Sequence, residues 1–84
     1  MLMDYPMLDA ELVGSVIAGC RRRAGLSQEV LSGLAGIGRS HLSAIERGER
    51  KPTMETFFRL AAAMNMKMSE LAAAVERAAD EKKT

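Results

Sequence analysis

The side chains with chemistry to offer crowd into one short stretch. Residues 36–52 read GIGRSHLSAIERGERKP, and Arg39, Ser40, His41, Ser43, Arg50 and Lys51 bring charged or hydrogen-bonding groups to it. A guanidinium presents a rigid fork of donors, and a hydroxyl beside it both donates and accepts. Such a set suits the recognition of a polar surface. Bond-making chemistry has no comparable set. One cysteine, Cys20, makes an internal disulfide impossible, and with only one histidine, His41, a zinc site is short of ligands. No paired acids and no His–Ser–Asp spacing stand out, and GIGR lacks both the Lys-Ser/Thr end and the preceding strand of a phosphate-binding loop. The residues predict a protein that is not an enzyme, with no catalytic residue, metal, cofactor or small-molecule ligand.

The formal net charge of +1 hides an uneven distribution. From Arg21 to Lys51 there are seven bases and three acids (+4), against five bases and eight acids (−3) in the remainder. Local charge governs attraction to a polyanion more than the total does. The composition, 48% hydrophobic and 27% charged, is that of a globular chain. With two Phe, one Tyr and no Trp, the core must come from Leu, Ile, Val, Met and Ala, which favours helices. The 84 residues predict a single small domain over 1–84, with its core at about 9–79. No run approaches 18 apolar residues, and the opening MLMDYPMLDAEL carries acids where a secretory leader carries bases. This predicts a soluble cytoplasmic protein with no membrane partner.

Five helices must position the polar stretch, and no segment shows the two-residue alternation of a strand. The first is expected from about Asp9 to Ala24, with Leu12, Val16, Ile17, Cys20 and Ala24 on one face. Gly14 and Gly19 inside it each cost about 1 kcal/mol relative to Ala, so close helix packing is expected to compensate. The second is capped by Ser27, with Leu26 and Leu31 as a hydrophobic staple, Leu31, Leu34 and Ala35 facing inward, and Gly36 as its stop. The third starts at a Gly38 cap, with Ile37 and Leu42 as staple and Gly48 as left-handed stop. A fourth follows Pro52 and Thr53, with Phe57, Leu60, Ala61 and Met64 inward and Asn65 as stop; a fifth begins at Ser69. The short glycine turn between the second and third helices is the spacing of a helix-turn-helix, at about residues 28–47.

The stretch RRRAGLSQEVLSGLAGIGRSHLSAIERGERKPTMETFFRLAAAMNM resembles the lambda-repressor-like, Cro/Xre-type helix-turn-helix family. The matching features run over about residues 12–72: GLSQE at the second helix, small residues at Ser32 and Gly36, the IERG closing the third helix, and KPT opening the fourth. Ser32 stands where the family usually has Ala, Gly38 where Ser or Thr usually caps the recognition helix, and Asn65 where Gly is common. The resemblance implies an all-α, compact five-helix domain that binds double-stranded DNA, usually as a dimer, and regulates transcription in a bacterium or phage.

In such a pair the second helix enters the major groove, and its N-terminal residues meet base edges. Arg39, Ser40, Ser43 and Ala44 are therefore the expected base contacts, with Arg39 foremost because its fork matches guanine O6 and N7. Ser27, Gln28, His41, Arg50, Lys51 and Thr53 are the expected backbone contacts; the resemblance supports Gln28 as a phosphate clamp. The resemblance also implies a buried ion pair between Arg21 and Glu46, structural in role. A homodimer on a palindromic operator is expected, held through the fifth helix, the Met-rich N-terminus, or both. The competing expectation is an antitoxin-like interaction module that neutralises a protein partner.

Overall fold

A computed structural model describes residues 8–83. It consists of α1 (Ala10–Arg23), α2 (Gln28–Ala35), α3 (Arg39–Glu46), α4 (Met54–Ala63) and α5 (Met68–Lys83). Local chemistry sets most of these ends. Asp9 Oδ1 accepts from the Glu11 N–H at 3.0 Å, Ser27 Oγ from the Val30 N–H at 3.1 Å, and Thr53 Oγ1 from the Thr56 N–H at 3.1 Å. Each satisfies a donor that the first helical turn leaves without a partner. α5 starts one residue before the expected Ser69: Glu70 Oε1 accepts from the Lys67 N–H at 2.7 Å, and the Lys67 carbonyl accepts from the Leu71 N–H at 3.1 Å. Gly48 (φ 79°) and Asn65 (φ 59°) take the left-handed conformation at the stops of α3 and α4. Asn can serve because its short polar side chain tolerates that region.

Ile17, Leu31, Leu42, Ile45, Leu60 and Leu71 are fully buried and draw one core from all five helices. α1 packs on α3 and α5, α2 on α3 and α4, and α4 on α5. The buried face of α1 is Val13, Gly14, Ile17, Ala18 and Cys20, while Leu12 and Val16 are half-buried. Ala24 is exposed, contrary to expectation, because the helix has ended there and the chain turns outward.

Leu34 is a second correction. It is 62% exposed, and Ser32 takes the buried place beside Leu31 and Ala35. At about 100° per residue, Leu31, Ala35 and Ser32 span one arc and Leu34 falls well outside it. The Ser32 hydroxyl donates to the Glu29 carbonyl at 3.1 Å, so burying it leaves no polar group unsatisfied.

The two glycines of α1 behave differently. A Cβ on Gly14 would stand 2.1 Å from the Ile45 carbonyl oxygen and 2.9 Å from that of Glu46. At the other end of the same crossing, a Cβ on Gly48 would stand 2.7 Å from Glu11 Cα. α1 and α3 thus meet backbone to backbone. Gly19 faces only Arg23 Nη1 of its own helix, at an ordinary 3.5 Å, so the close packing expected there is not found. Among the described residues no helix is long and apolar enough to cross a membrane. The Met-rich N-terminus, one of the two expected dimer contacts, lies outside the described residues.

Candidate nucleic-acid interface

α2 and α3 are joined by a tight turn whose geometry follows from glycine. Gly36 adopts φ 73°, its N–H donates to the Gly33 carbonyl at 3.3 Å, and the Ile37 N–H donates to the Ser32 carbonyl at 3.0 Å. The reversal brings half-buried Ile37 against the core beside Leu42, as a staple would. α3 is then seated by Leu42 and Ile45, which leaves Arg39 and Ser40 exposed and His41, Ser43 and Ala44 half-buried. Gly38 has no side chain, and no side-chain hydrogen bond caps the first turn of α3. Arg39 makes no ion pair among the described residues. A cation at that position opposes the helix dipole, and no ion pair among the described residues accounts for it.

Arg21 and Glu46 form a two-pronged pair across the base of the helix-turn-helix. Arg21 Nε donates to Glu46 Oε2 at 2.7 Å and Nη2 to Oε1 at 3.0 Å, while Nη1 donates to the Leu26 carbonyl at 2.9 Å. The side chains are 12% and 6% exposed. Burial alone would raise the Glu46 pKa, but hydrogen bonds from Arg21 and Gln28 hold its carboxyl below the usual range. The same pairing raises Arg21. Gln28 Nε2 donates to Glu46 Oε1 at 2.8 Å, so its amide is turned into this network and α1, α2 and α3 are tied at one point. What Gln28 retains for an outside anion is the N–H at the start of α2 and the rest of its amide.

The remaining expected backbone contacts surround α3. Ser27 and Thr53 are exposed, each with its hydroxyl oxygen committed to a helix cap; Thr53 also donates to Thr56 Oγ1 at 3.1 Å. Arg50 and Lys51 are exposed in the turn between α3 and α4. Ser27 and Gln28 at the start of α2 and Arg39 and Ser40 at the start of α3 belong to the two halves of one motif, with Arg50 and Lys51 directly after α3.

Arg47 was not expected at this surface. It follows Ser43 by four residues, so it shares the outward face of α3. Its Nη1 donates to Ser43 Oγ, and its Nε and Nη2 donate to Glu49 Oε2 and Oε1 at 2.8 and 3.0 Å. The periodicity of 39, 43 and 47 carried the signal, but the IERG motif drew attention to Glu46 instead.

The helix-turn-helix family model (HTH_3) matches residues 17–71. An uncharacterized HTH-type transcriptional regulator, y4dJ of Sinorhizobium fredii, is 43% identical over 61 residues, covering 73% of this chain and 79% of the relative. Control protein C.SmaI of Serratia marcescens is 33% identical over 61 residues, 73% of each chain. Among solved structures, the restriction-modification controller protein C.AhdI of Aeromonas hydrophila superposes with a TM-score of 0.73 at 34% identity, over 77% of this chain and 98% of that one. The glycine turn, the seated α3 and the match from the second half of α1 to the start of α5 lead to one conclusion: the chain belongs to the helix-turn-helix family, in its Cro/C1-type group of DNA-binding transcriptional regulators.

Proposed function

We propose that this protein acts in the cytoplasm as a sequence-specific regulator that binds a palindromic operator as a homodimer, with α3 in the major groove. The observation that carries the reading is the exposed start of α3. Arg39 and Ser40 stand there with no ion pair for the arginine among the described residues and no cap to block them. Arg39 contacts a guanine edge, Ser40, Ser43 and Ala44 read the neighbouring bases, and Ser27, Gln28, His41, Arg50, Lys51 and Thr53 hold the phosphates. One such module buries only about 600–1,000 Å² on DNA, which supports two copies with recognition helices about 34 Å apart. The controller proteins among its relatives support a restriction-modification controller as the setting.

Binding-site selection from random duplex DNA tests this directly. The expected result is an inverted repeat, with affinity falling steeply as salt rises, by about 0.9 log units per log unit of salt for each phosphate contacted. Exposed Leu34 and Phe58, 62% and 55% accessible, favour the second reading of a module that neutralises a protein partner. That reading predicts no retention of any duplex even at low salt.

A further inference from the structure

The short link from α3 to α4 places an acid where a DNA-facing surface would be expected to avoid one. Gly48 turns the chain back through its left-handed conformation, and the Glu49 N–H donates to the Ala44 carbonyl at 2.9 Å. The Glu49 carboxylate is thereby held beside the last turn of α3, where it takes two hydrogen bonds from Arg47 at 2.8 and 3.0 Å. With its fork occupied by Glu49, Arg47 directs the remaining guanidinium nitrogen, Nη1, at Ser43 Oγ. The three side chains form a chain of contacts that runs from Glu49 through Arg47 to the middle of α3.

The consequence falls on Ser43. A serine hydroxyl in a helix commonly donates to a carbonyl one turn back, as Ser15 does to Leu12 at 3.0 Å and Ser32 to Glu29 at 3.1 Å. Ser43 makes no such donation among the described residues; its oxygen accepts from Arg47. A hydroxyl has one proton and two lone pairs. With one lone pair taken by a cationic donor, the proton and one lone pair remain, and the guanidinium charge beside the oxygen disfavours a second donor and favours giving the proton outward.

We infer that Arg47 and Glu49 are positioning residues that present Ser43 as a hydrogen-bond donor to an acceptor on a base edge. The acceptors available in the major groove are N7 of a purine, O6 of guanine and O4 of thymine, whereas the exocyclic amines of cytosine and adenine are donors. An unconstrained serine accepts either class and discriminates poorly. A serine fixed as a donor prefers an acceptor. Glu49 has a second effect, because an acid beside the duplex weakens binding to any DNA through the phosphates. It lowers affinity for every sequence while the contact it supports raises affinity for one. The inference rests on α3 entering the major groove.

The test uses the full chain on its selected operator, on operators changed at one base pair at a time, and on random duplex. Wild type, Ser43→Ala, Arg47→Met, Glu49→Gln and the Ser43→Ala/Arg47→Met double variant are compared by fluorescence anisotropy, with circular dichroism confirming that each is folded. Ser43→Ala is expected to lower affinity for the operator about fivefold and to flatten the preference at one base pair. Arg47→Met and Glu49→Gln should flatten the preference at that same pair, and Arg47→Met should flatten it no further in the Ser43→Ala background. Glu49→Gln should also bind random duplex more tightly than wild type. An Arg47→Met variant that loses affinity equally on every duplex, with the salt slope lowered by about one contact, makes Arg47 a phosphate contact and overturns the inference while leaving the DNA-binding reading in place. A wild-type protein that selects no site overturns that reading and this inference together.

Discussion

Replacing Glu46 by Gln should cost the fold more stability than the loss of a helix cap. The carboxylate is 6% exposed and takes hydrogen bonds from Arg21 at 2.7 and 3.0 Å and from Gln28 at 2.8 Å. The amide keeps the shape but removes the charge, which leaves the Arg21 guanidinium, 12% exposed, without a counter-ion. Breaking one side of a buried pair costs about 3–5 kcal/mol. Arg21 retains its bond to the Leu26 carbonyl, so the lower end, about 3 kcal/mol, is expected. For a chain of 84 residues that is a fall in Tm of about 12–24 °C. Thermal unfolding at neutral pH, followed by far-ultraviolet circular dichroism, reads it.

The pH dependence gives an internal control. The folded-state pKa of Glu46 lies below its ordinary value. The stabilisation is therefore fully present above the unfolded-state value, about 4.3, and is lost as pH falls through the lower folded value. The gap in Tm between wild type and Glu46→Gln should be constant from about pH 7 to pH 5 and close below about pH 4. An unchanged Tm at neutral pH would refute the assignment of this pair as the tie between α1 and α3. A gap that failed to narrow in acid would refute its electrostatic origin.

Arg39→Ala should weaken operator binding by about 1–3 kcal/mol and relax preference at one base pair, read by competition binding against operators varied at each position; equal losses on all duplexes would make Arg39 a phosphate contact. Gly14→Ala must push apart two backbones, since its Cβ would lie 2.1 Å from the Ile45 carbonyl oxygen, and should destabilise by about 1–3 kcal/mol in denaturant titration. Gly19→Ala, whose Cβ would meet only Arg23 Nη1 at 3.5 Å, should instead stabilise by about 0.5–1 kcal/mol in the same titration. Ser27→Ala removes the 3.1 Å bond to the Val30 N–H and should lower stability by about 1 kcal/mol; if Tm does not move, α2 is held by its packing alone.

Elements whose cause is local could be read along the chain. The cap Ser27 and the stops Gly36, Gly48 and Asn65 each act within a few residues, and the structure has them in those roles. Apolar spacing likewise marked Ile17, Leu31, Leu42 and Leu60 for burial. In an eight-residue helix, however, Leu31 with Leu34 and Leu31 with Ala35 satisfy the same period equally well. The packing of α2 against both α3 and α4 chose Ala35 and Ser32 and left Leu34 outside.

The helix-turn-helix and its family were thus legible from sequence, because turn chemistry, helix periodicity and a motif in register are all short-range signals. The Arg21–Glu46 pair spans 25 residues, and no spacing announces it; it came from the family resemblance alone. Its capture of the Gln28 amide and the difference between Gly14 and Gly19 were decided by the tertiary structure, whereas the contacts from Glu49 through Arg47 to Ser43 span two and four residues and follow from helix periodicity and the turn at Gly48. For Gln28 and Gly14 the partner is brought up by another helix. A one-dimensional pattern says which face of a helix is apolar, but only the packed neighbours determine what its polar side chains and glycines meet.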